Sequence, residues 1–150
     1  MPVVSVTRLH LASLWFLPAF LAHAIRSSRQ ARRSPGFITG WLSNDSEWGF
    51  WTSTVWESAA AMRAFRNSDQ HLKAMPKLLR WCDEGAFVHW EQQEDCAPDP
   101  AAAYERLSRD GKVSKVDAPS ARQRGGSTVG AMMPRPGQQL NARRRGETKR

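Results

Sequence analysis

Between Val3 and Glu91 the chain changes hydrophobic period segment by segment, and the order of those segments leaves few folds open. Val3–Leu11 (VVSVTRLHL) is rich in β-branched residues and free of breakers, as a strand should be. From Trp15 to Arg33, the apolar Phe16, Leu17, Phe20, Leu21, Ala24 and Ile25 recur at helical spacing, while Arg26, Arg29 and Arg33 mark another face. Pro18 suits the first turn of that helix, where its missing N–H costs little, and Ser34-Pro35-Gly36 ends it. Phe37–Ser43 and Glu47–Trp56 read as two strands joined by the turn Asn44-Asp45-Ser46, a hairpin. Ser58 is the expected N-cap of AAAMRAFR. After Asn67-Ser68-Asp69 comes a second helical piece, His71–Asp83, which Pro76 should kink or reset. AFVHWE, residues 86–91, is a last short strand.

Strand, helix, strand, strand, helix, strand is the split βαβ or ferredoxin-like arrangement, an α+β fold whose four-stranded antiparallel sheet runs in the order 4-1-3-2. Two helices cover only one face of such a sheet, so the other should be polar in a monomer. Here both faces carry large apolar side chains: Trp48, Phe50 and Trp56 share one parity of the third strand, while Trp51 and Val55 hold the other. An apolar sheet face demands a partner, and the expectation is a homodimer packed face to face.

All seven tryptophans lie between Trp15 and Trp90, which places the core-forming material in the first two-thirds. The charge divides in the same way. Residues 1–116 hold 14 Lys/Arg against 12 Asp/Glu, a net of +2, whereas residues 117–150 hold eight against two, a net of +6. The folded part is nearly neutral, so neither nucleic acid nor membrane is expected as a partner. The expected organisation is a domain over 1–95, a linker with a short helix capped by Asp99 over 96–116, and a disordered basic tail over 117–150, too poor in large apolar residues to repay ordering. The arginines and lysines of that tail serve solubility. Cys82 and Cys96 form neither a CxxC pair nor a ladder of spacings and suit a reducing cytoplasm. Leu9–Ile25 imitates a signal peptide, with Ala22-His23-Ala24 at its end. Pro18 and two histidines interrupt it, and its removal would delete the first strand, so a cytoplasmic location is expected.

Three pieces resemble a known superfamily: Val6-Thr7-Arg8-Leu9 in the first strand, Pro35-Gly36-Phe37 entering the second, and Thr54-Val55-Trp56-Glu57-Ser58 where the third strand hands over to a helix. They are similar to the dimeric α+β barrels, which include antibiotic-biosynthesis, heme-degrading and spheroidene monooxygenase-like proteins. The resemblance covers residues 3–91 and implies a shared pocket between sheet and helices and an oxygenase activity. In the heme-degrading members, an Asn of the first strand, a Trp at the strand-to-helix junction and a His of the second helix line that pocket. Trp56 matches the Trp, Thr7 stands at the Asn position, and His71 lies one turn before the position of the His, which falls near Met75.

His71 is therefore the candidate general base or heme ligand, since a histidine titrates near working pH. Trp56 and Thr7 complete the candidate catalytic set. Trp51, Arg26 and Arg29 are candidate substrate contacts, the tryptophan as a wall for a flat apolar ligand and the arginines for an anionic group. His10 and His89, on neighbouring strands, supply two ligands where a metal needs three or four, so no metal site is expected. The cofactor is either none or heme. The expected activity is oxidation of a hydrophobic polycyclic or polyene substrate. The alternative is a non-catalytic homodimeric protein that binds an apolar small molecule in the same cavity.

Overall fold

The antiparallel sheet predicted from periodicity forms the centre of the molecule in a computed structural model that describes residues 1–143. In chain order the elements are β1 (Val3–Leu11), a 3-10 turn (Leu14–Phe16), α1 (Leu17–Arg33), β2 (Phe37–Asn44), β3 (Gly49–Trp56), α2 (Ala59–Arg66), α3 (Asp69–Trp81), β4 (Cys82–Glu91), α4 (Pro100–Asp110), β5 (Lys112–Val113), α5 (Ala121–Arg124) and β6 (Gln138–Asn141). Their boundaries have local causes. Pro18 sits in the first turn of α1. Ser58 accepts a hydrogen bond from the Ala61 N–H at 3.1 Å to open α2. The Asp99 carboxylate accepts from the Ala102 N–H at 2.8 Å to open α4. Pro76 was expected to kink or reset this piece; it does not reset it, and α3 runs through Pro76 as one helix. Pro76 and Leu72 both lie on the exposed side, where water can take the carbonyl that the proline leaves without a donor.

Among the described residues the sheet has six strands, not four, in the order β5-β4-β1-β3-β2-β6, and every pairing is antiparallel. Its middle reproduces the expected 4-1-3-2 order. The two added edge strands come from the segments expected to be linker and disordered tail. Residues 96–116 carry α4 and β5, residues 117–143 carry α5 and β6, and residues 144–150 of the expected tail lie outside the described residues.

Register assigns the two faces. Val3, Leu9 and Leu11 of β1, with Phe50 and Trp56 of β3, point toward α1–α3. Val4 and Val6, with Trp51 and Val55, point the other way. That second face is covered by the chain itself. Ala103 and Leu107 of α4, both fully buried, pack on Val4, Val6, Val55, Val88, Trp41 and Trp51. The Trp41 Nε1–H donates to the Pro98 carbonyl at 2.8 Å, and the Tyr104 hydroxyl donates to the Gly130 carbonyl at 2.7 Å. An uncovered apolar face was the reason to expect a homodimer, and among the described residues α4 and the segment after it cover most of that face. The composition of 117–143 cannot build a core, but it does not need to, because the sheet face already supplies the apolar surface.

A charged cluster lies at one end of this covered face. Arg8, 2% exposed, donates from Nε to Asp45 at 3.1 Å and from Nη1 to Glu84 at 2.6 Å. Asp45 also accepts from the Trp51 indole and the Gly49 N–H. A β-carbon at residue 49 would collide with this carboxylate, so the turn needs glycine there. Glu84 accepts from the Ser120 hydroxyl at 2.9 Å, and Arg122 donates to Glu47 at 2.7 Å, which ties α5 and its N-cap to the same cluster. Burial works to raise the Asp45 carboxyl, but hydrogen bonds from Trp51 and Gly49 and then the Arg8 charge outweigh it and hold it below the usual range. Glu84 is likewise held down, against burial, by hydrogen bonds from Arg8 and Ser120 and by the charges of Arg8 and His10.

Two outcomes follow from this packing. Leu107→Ala should lower the free energy of unfolding by about 2–5 kcal/mol in denaturant titration, the cost of a buried leucine; an unchanged midpoint would mean that α4 is not part of the core. Both carboxyls are depressed in the folded state, so their stabilisation is complete above the ordinary carboxylate range and is lost as pH falls through the folded values. Thermal melts of the protein and of Asp45→Asn, taken from pH 7 to pH 3, should therefore converge toward the acid end. Parallel curves would contradict the assignment.

Candidate functional site

The face of the sheet toward α1–α3 carries two apolar clusters with a polar band between them. One cluster holds Val3, Phe37, Trp56 and Met62, and the other Leu11, Phe20, Trp81 and Cys82. The band is set by register, with Ser5 paired to Thr54 and His89, and Thr7 paired to Thr52 and Phe87. Ser5, Thr7 and Thr52 stand on the central strands, beneath helices, and yet remain half-buried. A central strand residue keeps that exposure only where the helix layer stands off the sheet.

An aromatic ladder closes one end of this space. Phe37 meets Trp56 edge-on at 5.3 Å, Phe65 of α2 stacks on Trp56 at 5.2 Å, and His71 of α3 meets Phe65 edge-on at 5.4 Å. Trp56 is 1% exposed, and its indole N–H is satisfied by the Thr54 hydroxyl at 2.9 Å. His71 differs from it: its Nδ1 is buried and has no hydrogen-bond partner among the described residues. Burial lowers its pKa first, and the nearby His23 and Arg66 lower it further, so the ring is neutral at physiological pH. A neutral imidazole with a free ring nitrogen can accept a proton from a ligand. His23, on α1, has its Nε2 against the Ser27 hydroxyl at 3.3 Å, and burial, Lys77 and Arg26 lower its pKa in turn.

The structure thus joins Trp56 and His71 through Phe65, and puts Thr7 on the same side of the sheet. It separates the other candidates from them. Trp51 lies on the opposite face, under α4 and hydrogen-bonded to Asp45. Arg26 and Arg29 line a shallow outer groove of about 570 Å³ with Gln30 and Arg33. Beside it, sharing Ser34 and Pro35, lies a second groove of about 540 Å³, walled by Ala60, Ala61, Ala64 and Phe65. Phe65 therefore stands between open groove and His71.

His10 and His89, expected as neighbours, lie on opposite faces of the sheet, because they fall at opposite parity about β1. His10 Nδ1 pairs instead with Asp83 at 2.6 Å. Among the described residues, His10, Asp83 and Glu84 bring ligand atoms within 4.8 Å of one another. Glu84 is already held by Arg8 and Ser120, and the Arg8 charge beside it opposes a cation. Both cysteines are free, and the Cys82 thiol, pushed up to about 12 by burial and by Asp83, is no nucleophile. Among the described residues, no helix is long and apolar enough to cross a membrane.

Sequence reasoning missed the buried Arg8 cluster, although Arg8 shares the parity of Val4 and Val6 and so points into a covered face. It also missed that Phe65 links Trp56 to His71.

Comparison with known proteins agrees with this fold. Residues 17–77 match the family model described as antibiotic biosynthesis monooxygenase. No curated protein matches the chain. Among solved structures, Rv0793 from Mycobacterium tuberculosis is similar with a TM-score of 0.57 at 14% identity, over 63% of this chain and 97% of that one. SnoaB, a cofactor-independent oxygenase from Streptomyces nogalater, gives 0.52 at 19% identity, over 62% and 94%. PA3566 from Pseudomonas aeruginosa gives 0.55 at 14%, over 62% and 95%. These structures are covered almost whole, whereas more than a third of this chain has no counterpart in any of the three. The chain is thus similar to the antibiotic biosynthesis monooxygenase model over residues 17–77, and it shares its fold with these solved structures.

Proposed function

We propose that the protein is a cytoplasmic monooxygenase that oxidises a hydrophobic polycyclic or polyene substrate between the sheet and α1–α3, with His71 as general base. The observation that carries this reading is the half-buried, neutral His71 ring, whose buried Nδ1 has no hydrogen-bond partner among the described residues. Two free cysteines suit the compartment.

Heme does not fit this arrangement. Phe65 fills the space between His71 and Trp56, with ring centroids 5.4 and 5.2 Å away, and leaves no slot there for a porphyrin face. The reading therefore uses the chain's own groups. His71 takes a proton from an activated C–H of the substrate, and the resulting carbanion reduces oxygen. One oxygen atom enters the substrate as a carbonyl and the other leaves as water, so a methylene plus O₂ yields a ketone plus H₂O. Thr7 donates a hydrogen bond to the developing oxyanion, and the positive charge of Arg66 beside His71 favours an anionic intermediate. Trp56 is a wall, held by Thr54. Arg26 and Arg29, at the outer groove, stand apart from this space and have no part in this reading. Trp51 has no part in this reading, because the sheet stands between it and the site.

Oxygen uptake measured with a panel of tricyclic phenols and conjugated polyenes tests the reading. His71→Ala should reduce a detected rate by about 10²-fold or more, the usual worth of a positioned base, and Thr7→Val by less. The base works unprotonated and its pKa lies below the ordinary 6.5, so the rate should fall on the acid side with its half-maximal point below pH 6.5. A rate indifferent to His71→Ala would end the assignment.

A further inference from the structure

The last third of the chain does to the sheet what a second copy of the chain would otherwise have to do. It covers the apolar face, with Ala103 and Leu107 fully buried on Val4, Val6, Val55 and Val88. Tyr104 lies 6.2 Å from Trp51, ring centre to ring centre, and the Arg106 guanidinium sits 4.7 Å over the Trp90 ring. Beyond α4 the chain stays on this face. Thr128 donates to the Leu107 carbonyl at 2.7 Å, Val129 packs on the same cluster, and Pro134 is fully buried. The same segment adds a short strand to each edge of the four-stranded core, β5 beside Ala86 and Phe87 of β4, and β6 beside Thr39–Leu42 of β2. The Arg8 cluster fastens it further, through Ser120 to Glu84 and Arg122 to Glu47. A second copy approaching this face of the sheet would meet α4 and the segment after it where the apolar side chains of Val4, Val6, Val55 and Val88 lie.

We propose that residues 92–143 occupy, within one chain, the place on the sheet that a second copy would take, so that the protein works as a monomer and its site is built from one chain. The claim does not depend on which reaction the helix side supports. It concerns the face opposite His71, and the two are separated by the sheet.

Light scattering on the full chain across micromolar concentrations tests it, with a single-chain mass of 16.9 kDa expected. A two-chain mass would overturn the proposal. Leu107→Asp, which puts a charge under α4, should raise the mass or the binding of a hydrophobic dye as the sheet face is uncovered; a variant with wild-type mass, dye binding and melting temperature would overturn it as well. Should that variant fail to fold, a full chain cut at a protease site engineered between Gln92 and Pro98 decides the matter. Both pieces are expected to elute together at one-chain mass, and separation of an intact amino-terminal piece from its carboxy-terminal piece would refute the proposal.

Discussion

A guanidinium taken out of water is among the most expensive groups a small fold can bury, and Arg8 is buried in the middle of the central strand. It is tolerable only if its charge is matched at once and with good geometry. The match comes from parts of the chain far apart in sequence: Asp45 in the β2–β3 turn, Glu84 on β4, and behind them Ser120 and Arg122. Each partner fixes an element relative to β1. The turn is held by an Asp45 carboxylate that also binds the Gly49 N–H and the Trp51 indole, so hairpin geometry and arginine solvation are one problem with one solution. Removing a single partner would leave a buried charge without its counterpart, which typically costs about 3–5 kcal/mol.

Around that fixed point the sheet divides its labour. One face is apolar and largely covered, with tryptophan and valine under α4 and the Arg8 cluster at its end. The other keeps a band of hydroxyls between two apolar clusters, beneath helices that do not fully seal it. The proposed ligand chemistry is assigned to the second face because polar side chains there are accessible without being fully solvated, and because the Nδ1 of His71 has no partner among the described residues. The covered face gives the strands the rigidity that such a site needs, since Thr7 and Arg8 are adjacent residues of one strand pointing opposite ways.

Much of the framework was legible because it is local. The alternation over Val3–Leu11, the caps at Ser58 and Asp99, and the hairpin turn at Asp45 each declare themselves within a few residues. The parity of β3 already separated Trp51 from Trp56, so the placement of Trp51 away from the site could have been read from the alternation alone. The order of residues 117–143 was not legible. Composition asks whether a segment can build a core of its own, and this one cannot; it is ordered because it borrows apolar surface from strands more than 30 residues away. Pro76 shows the converse, a strong local signal at which the helix is not reset, its side chain lying on the exposed side. Placing Arg8 required knowing that its face would be covered, which is a tertiary fact.

The two outer strands are short, β5 with two residues and β6 with four. A long, flat edge strand is a template on which another chain can continue the hydrogen-bond ladder, and brief strands offer few rungs. In this molecule the blunt edges belong to the same segment that covers the apolar face. Protection against open-ended strand addition is thus concentrated in the least apolar part of the chain, so damage there would release a growth surface as well as weaken the fold.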